Sequence, residues 1–219
     1  MTTTEKTNIT ELVFIIDKSG SMSGLESDTI GGFNSVLTRN REIEGTAFVT
    51  TVLFDTRRIT LHDRLDIHEV RDMTPRDYMP GGCTALLDTV GHTIEHIDRI
   101  ERYMPASHKA DNVVFVIITD GYENSSHRFS YPKVKRMIEE HQERGWEFLF
   151  LGANIDVAAE SSRLGIKAEN AVEYLQDGVG THNVYASVGN ATCASRTGRS
   201  MSGWSDQVRA DTNRRRSRQ

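Results

Sequence analysis

Asp17, Ser19 and Ser21 alternate along one short segment, directly after the apolar run of residues 12–16. An extended chain places alternate side chains on the same side, so this carboxylate and these two hydroxyls can face one point. Oxygen donors of this kind suit hard divalent cations such as Mg²⁺. A helix N-cap or a turn explains the same residue types without any metal. The spacing therefore predicts a cation site, with a local turn as the alternative.

Two further oxygen donors stand at comparable places later in the chain. Thr84 begins a predicted helix behind a pair of glycines, and Asp120 directly follows the apolar run of residues 113–118. In an open parallel sheet, ligands bind outside the carboxyl ends of the strands, where these side chains would converge. Together Asp17 and Asp120 would neutralise a divalent ion and leave it able to attract an outside carboxylate.

Apolar runs and helical periodicities alternate along the rest of the chain. Buried-type strands are predicted at residues 11–17, 47–54, 113–119, 148–151 and 171–175, and an edge hairpin is predicted within residues 58–67. Helices are predicted at residues 25–41, 84–104, 132–144 and 156–164, with a covering helix near 184–193. This alternation predicts an α/β fold, doubly wound around a mostly parallel sheet with one antiparallel edge strand and helices on both faces.

One domain is predicted for residues 1–195, followed by a C-terminal extension over residues 196–219. The pair Gly31-Gly32 inside the first helix costs helix propensity, which a tight helix–sheet contact would explain. Residues 212–219 hold four arginines and no acid, and we expect this end to be disordered.

Composition excludes several classes of protein. The chain has 219 residues and a net charge of −5, which argues against a general nucleic-acid binder. Its apolar runs are far shorter than the ~20 residues that cross a bilayer, so we expect no membrane span. Residues 1–6 show no secretory signal, and Cys83 and Cys193 form no disulfide framework. A cytoplasmic protein is predicted.

Several other polar residues stand near the predicted site. Asp55 could orient Ser19 or a bound water, with a turn role equally open, and Asp88 is expected to face solvent rather than the site. Glu123 and His127 are candidates for partner contacts, with simple exposure as the alternative. His92 and His96 lie four residues apart and could bind zinc, but a solvated helix face is favoured.

Three segments resemble one known family. These are residues 12–22 (LVFIIDKSGSM), 78–88 (YMPGGCTALLD) and 117–124 (IITDGYEN). They are similar to the opening strand and metal-binding loop, the threonine segment and the aspartate segment of von Willebrand factor A (VWA) domains. Such domains carry a metal-ion-dependent adhesion site (MIDAS). The likeness covers roughly residues 9–195 and points to the intracellular prokaryotic type.

The resemblance implies a ligand set for the ion. Ser19, Ser21 and Thr84 would offer hydroxyls, and Asp17 and Asp120 would bind directly or through water. The ion would be Mg²⁺, with Mn²⁺ or Ca²⁺ as alternatives. Its remaining position would go to an acidic residue of a partner protein, and family members of this type work in multiprotein complexes.

Three functions are open at this point. The first is a metal-dependent protein-binding module without enzymatic activity, which we favour. The second is a metal-dependent phosphoester hydrolase, which needs a base or nucleophile besides the metal. The third is a scaffold domain that acts through its surface and its Arg-rich tail.

Overall fold

A computed structural model describes residues 8–218, and within them six strands form one sheet in the order β3-β2-β1-β4-β5-β6. The strands are β1 (Ile9–Asp17), β2 (Thr46–Phe54), β3 (Arg58–Asp66), β4 (Asn112–Thr119), β5 (Glu147–Gly152) and β6 (Ala171–Glu173). Every neighbouring pair is parallel except β2 and β3, so β3 is an antiparallel edge strand. The predicted fold class is confirmed.

Helices cover both faces of this sheet. They are α1 (Glu26–Arg41), α2 (Leu86–Tyr103), α3 (Tyr131–Glu143), α4 (Val157–Leu164), α5 (Gly178–Arg196) and α6 (Asp206–Arg216). Leu12, Phe14 and Ile16 of β1 share one buried cluster with α1, α5 and α6. Val13 and Ile15, on the other face, share a second cluster with α2, α3 and α4. The central strand is buried on both faces, which explains its continuous apolar run.

Gly32 serves a contact between two helices rather than one between a helix and the sheet. A Cβ at this position would lie 2.4 Å from the Tyr185 ring of α5, whereas one at Gly31 would meet nothing within 4 Å. The helix–sheet explanation of the glycine pair is therefore wrong. The close approach of α1 and α5 requires only the second glycine.

The C-terminal segment carries helix α6 and packs on the domain through apolar side chains in and before that helix. Met201, Trp204 and Val208 join the same buried cluster as β1. Two arginines of α6 pair with acids elsewhere in the fold: Arg215 pairs with Asp177, and Arg216 Nη1 lies 2.7 Å from Glu173 Oε2. Arg214 pairs with Asp211 inside α6, with Nη2 2.5 Å from Oδ1. Residues 212–219 hold no acid themselves, but three of their four arginines are thus paired with acids of β6, of the loop after it and of α6.

Arg196 at the end of α5 is buried, and within residues 8–218 its guanidinium binds carbonyls rather than a carboxylate. Its guanidinium donates to the backbone carbonyls of Asn40, Ile43 and Gly45, at 2.9 and 2.8 Å for the last two. Burial lowers the pKa of Arg196. The side chain therefore ties α5 to the carbonyl end of α1, where a helix leaves acceptors unsatisfied and favours positive charge.

Two simpler expectations concern membranes and cysteines. Among residues 8–218, no helix combines the length and the apolar character that crossing a membrane requires. Both cysteines are free, Cys83 being exposed and Cys193 half-buried. The predicted absence of a signal in residues 1–6 lies outside the described residues.

Candidate metal centre

Three loops meet at the carboxyl edge of the sheet: the loop after β1, the glycine-rich segment before α2 and the loop after β4. Backbone hydrogen bonds join the first to the second and the second to the third. The loop after β1 receives a hydrogen bond at Lys18 O from Gly81 N, at 2.9 Å. In return Gly20 N donates to Gly82 O at 3.2 Å. A short 3-10 turn over Gly20–Met22 then leads into α1. The glycine-rich segment before α2 is thereby held beside the loop that follows β1.

Asp17 is fully buried at the end of β1. Its Oδ1 accepts the backbone N–H of Ser19 at 2.7 Å, and its Oδ2 accepts the Thr119 hydroxyl at 2.6 Å. The first contact is the local turn that stood as the alternative to a metal site. Burial raises the pKa of Asp17, although these hydrogen bonds oppose the rise.

Asp120, at the end of β4, faces the same point from the neighbouring strand. The Ser21 hydroxyl donates to its Oδ1 at 2.6 Å, and Ser21 Oγ lies 3.1 Å from Ser19 Oγ. Burial raises the pKa of Asp120 to about 6, and the negative charge of Asp17 adds to that rise, while the bond from Ser21 opposes it. The two carboxylates therefore lie close enough to repel each other.

Gly121 shows where the Thr84 hydroxyl lies relative to this group. A Cβ on Gly121 would be 3.2 Å from Thr84 Oγ1 and 3.6 Å from Ser21 Oγ. Thr84 is fixed by Asn124, whose Oδ1 accepts the Thr84 N–H at 2.8 Å and whose N–H donates to the Thr84 carbonyl at 3.0 Å. The glycine thus leaves open a space that two hydroxyls flank.

The structure brings all five predicted residues to one edge of the sheet: Asp17, Ser19, Ser21, Thr84 and Asp120. Their donor set is entirely oxygen and carries two carboxylates whose pKa values are raised, which fits a hard divalent cation. Among the described residues, this edge included, no group of three or more His, Cys, Asp or Glu side chains is placed to hold a metal, so a site here would depend on its hydroxyls. The role of the five as ligands stays a prediction.

Two residues at this edge escaped the sequence pattern. Gln176, in the loop after β6, donates through Nε2 to Asp120 Oδ2 and to the Ser21 carbonyl, the latter at 2.7 Å. Thr119 donates to Asp17, as described above. The rule that placed Asp17 and Asp120 after their strands also points to Gln176, because it follows the last predicted strand. Nothing in its residue type singled it out.

Asp55 and Lys18 form an ion pair beside the site. Asp55 Oδ1 also accepts the backbone N–H of Arg57 at 2.6 Å. Of the two interpretations left open for Asp55, the structure shows the turn role. The positive charge of Lys18 is thus paired with the Asp55 carboxylate.

Asp88 and Glu123 hold the loop after β4 against the start of α2. The Asp88 carboxylate accepts the backbone N–H groups of His127, Arg128 and Phe129 at 2.8 to 2.9 Å. Burial favours a higher pKa for Asp88, but these three donors outweigh it and lower the pKa. Asp88 is half-buried, and its carboxylate binds the loop after β4 rather than pointing freely into solvent.

Glu123 likewise accepts backbone N–H groups, those of Leu87, Ser125 and Ser126 at 2.7 to 2.8 Å. His127 is exposed. Glu123 is therefore engaged within the protein, whereas the His127 ring faces solvent.

His92 and His96 have separate partners on α2. The His92 ring packs edge-on against Phe129 with centroids 4.9 Å apart, and His96 Nε2 lies 2.6 Å from Asp63 Oδ1. Both line a cavity of about 380 Å³ between α2 and β3. Their half-exposed side chains agree with the favoured interpretation, which is a solvated helix face rather than a zinc site.

Comparison with known proteins gives a fold and nothing finer. No protein-family model matches the sequence, and no curated protein matches it. Solved structures do match in shape, all at low sequence identity. Proximal thread matrix protein 1 from the mussel byssus is 14% identical, with a TM-score of 0.56 over 85% of this chain and 46% of that one. A second structure of that mussel protein has a zinc-occupied MIDAS motif.

Two microbial proteins match equally well. A von Willebrand factor type A protein from Catenulispora acidiphila is 13% identical, with a TM-score of 0.56 over 85% of this chain and 43% of that one. The ArnB paralog VWA2 from Sulfolobus acidocaldarius is 17% identical, with a TM-score of 0.54 over 84% and 45%. This chain spans about half the length of these solved chains. The structure thus has a VWA-like α/β fold.

Proposed function

We propose that this protein is a divalent-metal-dependent protein-binding module. Asp17, Ser19, Ser21, Thr84 and Asp120 would hold Mg²⁺, with Mn²⁺ or Ca²⁺ as alternatives. The observation that carries the proposal is the meeting of two buried carboxylates with three hydroxyls at one sheet edge. A bound divalent ion would supply the positive charge that attracts an Asp or Glu side chain of a partner protein. The zinc-occupied MIDAS of the mussel protein supports a metal in a fold of this kind.

The surroundings of the site support a protein partner. Six large hydrophobic side chains are well exposed among the described residues. Three of them, Met79, Tyr122 and Val179, lie in or beside the loops that form the site. Tyr122 is held in place by Asp156, whose backbone N–H donates to the tyrosine hydroxyl at 2.8 Å. Apolar side chains around a charged centre are typical of protein interaction surfaces.

The same geometry favours binding over phosphoester hydrolysis. A hydrolase needs a general base or nucleophile free to reach the substrate. Three acids beside the loops that form the site are already engaged: Asp55 by Lys18, Asp88 by three backbone N–H groups and Glu123 by three more. The exposed His127 remains, and it belongs to no recognised catalytic motif. We therefore propose that the protein is not an enzyme. Turnover of a generic phosphoester with Mn²⁺ that is lost in Asp120→Asn would contradict this.

The Arg-rich segment gives little support to a scaffold function. Arg214, Arg215 and Arg216 pair with acids of this chain, so they are not free for an acidic partner or nucleic acid. A cytoplasmic location and membership of a multiprotein complex belong to the proposal as expectations. Affinity capture from the native cells, with Mg²⁺ and with chelator, would test the second.

Titration with metal ions tests the proposal most directly. We expect the wild-type protein to bind one Mg²⁺ or Mn²⁺ ion in calorimetry, and Asp120→Asn to weaken binding at least about tenfold because it removes one of two ligand charges. Ser23→Ala, in the same loop and exposed, is the matched control and should bind as the wild type does. A wild-type protein that binds none of Mg²⁺, Mn²⁺ and Ca²⁺ would overturn the proposal.

A further inference from the structure

We infer that Gln176 is a positioning residue for the metal centre, through which the C-terminal helix α6 sets the affinity for the ion. This inference rests on the proposed metal-binding function. It assigns a role to a residue outside the predicted ligand set and to a segment outside the sequence likeness.

The Gln176 amide joins two loops that come from different strands. Its Nε2 donates one hydrogen to Asp120 Oδ2, in the loop after β4, and another to the Ser21 carbonyl, in the loop after β1. Ser21 in turn donates its hydroxyl to Asp120 Oδ1 at 2.6 Å. Gln176, Ser21 and Asp120 thus close a ring of three hydrogen bonds, which fixes the orientation of the carboxylate.

The other end of the amide is also held. Asn154, in the loop after β5, donates its side-chain N–H to Gln176 Oε1. Asn154 has a left-handed backbone with φ of 55°, a conformation that asparagine tolerates better than most residues. The carboxamide is therefore oriented by a donor on one side and two acceptors on the other. A side chain of similar size that lacks either the NH2 group or the carbonyl oxygen of the amide could not make all three bonds.

Helix α6 anchors the loop that carries Gln176. Arg215 pairs with Asp177, the next residue in the chain, and Arg216 Nη1 lies 2.7 Å from Glu173 Oε2. The Thr212 hydroxyl donates to the Glu173 carbonyl at 3.2 Å. Gln176 is thus held between two residues that α6 binds. A loosened α6 would let this loop, and with it the amide, move away from the carboxylate.

The residue type has a consequence for the ion. Glutamine is a neutral donor, so it orients Asp120 without cancelling its charge, and the carboxylate keeps its full attraction for a cation. A lysine or arginine at this place would occupy the site as a competing cation. Groups that orient metal ligands by hydrogen bonds typically change metal affinity by about 10- to 100-fold when they are removed.

The first arm of the test removes the amide. We expect Gln176→Leu to weaken Mn²⁺ binding about 10- to 100-fold in calorimetry. Gln142→Leu is the matched control, because Gln142 Nε2 donates only to the Gly165 carbonyl at 2.9 Å, far from the site in the fold. In chelator, Gln176→Leu should melt close to the wild type, whereas its metal-induced gain in melting temperature should shrink. A residue that only packed the loop would lower the melting temperature in chelator as well.

The second arm loosens α6. We expect the double change Arg215→Gln and Arg216→Gln to weaken Mn²⁺ binding in the same direction as Gln176→Leu, but less. Arg218→Gln, at the same end of the chain and exposed, is its control. Added to Gln176→Leu, the double change should have little further effect on metal affinity, because both act through one amide.

Hydrogen exchange of residues 19–23 and 120–122 in chelator gives a readout that needs no metal. Faster exchange there in Gln176→Leu, but not in Gln142→Leu, supports the inference. Metal affinity within twofold of the wild type in Gln176→Leu overturns it and leaves the proposed function standing. A wild-type protein that takes up no ion refutes the proposed function, and unchanged hydrogen exchange then refutes the hydrogen-bonded ring separately.

Discussion

The Ser21 hydroxyl donates to Asp120 Oδ1 at 2.6 Å, although 99 residues separate the two in the chain. This bond lowers the pKa of a carboxyl group that burial raises to about 6. Because a carboxyl group must lose its proton before it binds an ion, this bond would make the proposed metal binding depend on pH.

Metal affinity should therefore fall as the pH drops through about 6. Protons then compete with the ion for Asp120, whereas above about pH 7 the affinity should be constant with respect to this group. Ser21→Ala removes the donor that lowers the pKa, so the fall should begin at a higher pH than in the wild type. Mn²⁺ titrations from pH 5 to 8 measure both curves. Affinity independent of pH over this range would contradict the prediction.

Glu11 should make stability depend on pH in the opposite sense to an ordinary surface acid. Burial raises its pKa to about 7, although Arg64 and Thr50 oppose the rise. A raised pKa means that this group favours folding below its unfolded value near 4.5 and loses that contribution as the pH rises to about 7. As the pH rises from 4.5 to 7, the free energy of unfolding of the wild type should thus fall relative to that of Glu11→Gln.

Urea unfolding of Glu11→Gln and wild type in chelator, at several pH values, measures this difference. Working in chelator keeps metal binding out of the comparison. A difference between the two proteins that stays the same from pH 4 to pH 8 would show that Glu11 titrates as it does in the unfolded chain.

The two adjacent glycines of α1 should respond to alanine with opposite signs. Gly31→Ala meets no atom within 4 Å and should stabilise the protein by up to about 1 kcal/mol, since alanine is the better helix former. Gly32→Ala would place its methyl group 2.4 Å from the Tyr185 ring and should cost about 1–3 kcal/mol. Urea unfolding of the two variants decides the matter, and equal effects would refute the assigned packing of α1 on α5.

Arg196 should be among the most sensitive arginines to substitution. Arg196→Ala leaves the carbonyls of Asn40, Ile43 and Gly45 without their donor and opens a cavity, which should cost about 2–4 kcal/mol. Arg199→Ala is a suitable control, because the exposed side chain of Arg199 donates, among the described residues, only to the Thr197 hydroxyl. The same loss of stability in both variants would argue against the buried role of Arg196.

The order of buried strands and amphipathic helices was predictable, because periodicity reports which faces of an element meet the core. Asp17 and Asp120 could be placed at one sheet edge, since each directly follows a strand of a parallel sheet. Partners that depend on tertiary contacts could not be predicted. Asp88 and Glu123 bind backbone N–H groups. Every residue except proline has such a group, so residue types do not show which ones an acid will bind.

The partners of the C-terminal arginines could not be predicted for a similar reason. Asp177 and Glu173, which pair with Arg215 and Arg216, lie 38 and 43 residues earlier in the chain. A local window cannot show such pairs. Gln176 escaped notice for a related reason, since an amide becomes informative only when its two acceptors are known.

The place of β1 between β2 and β4 also bears on how the protein folds. Its pairing with β4 joins residues about 100 positions apart, and such distant pairings form late and slowly in folding. Asp17 ends β1 and Asp120 directly follows β4, so the proposed ion site would exist only after these two strands have paired. An ion at this site would bind the native chain and not the unfolded one. It would therefore raise the free energy of unfolding without affecting the early steps of folding.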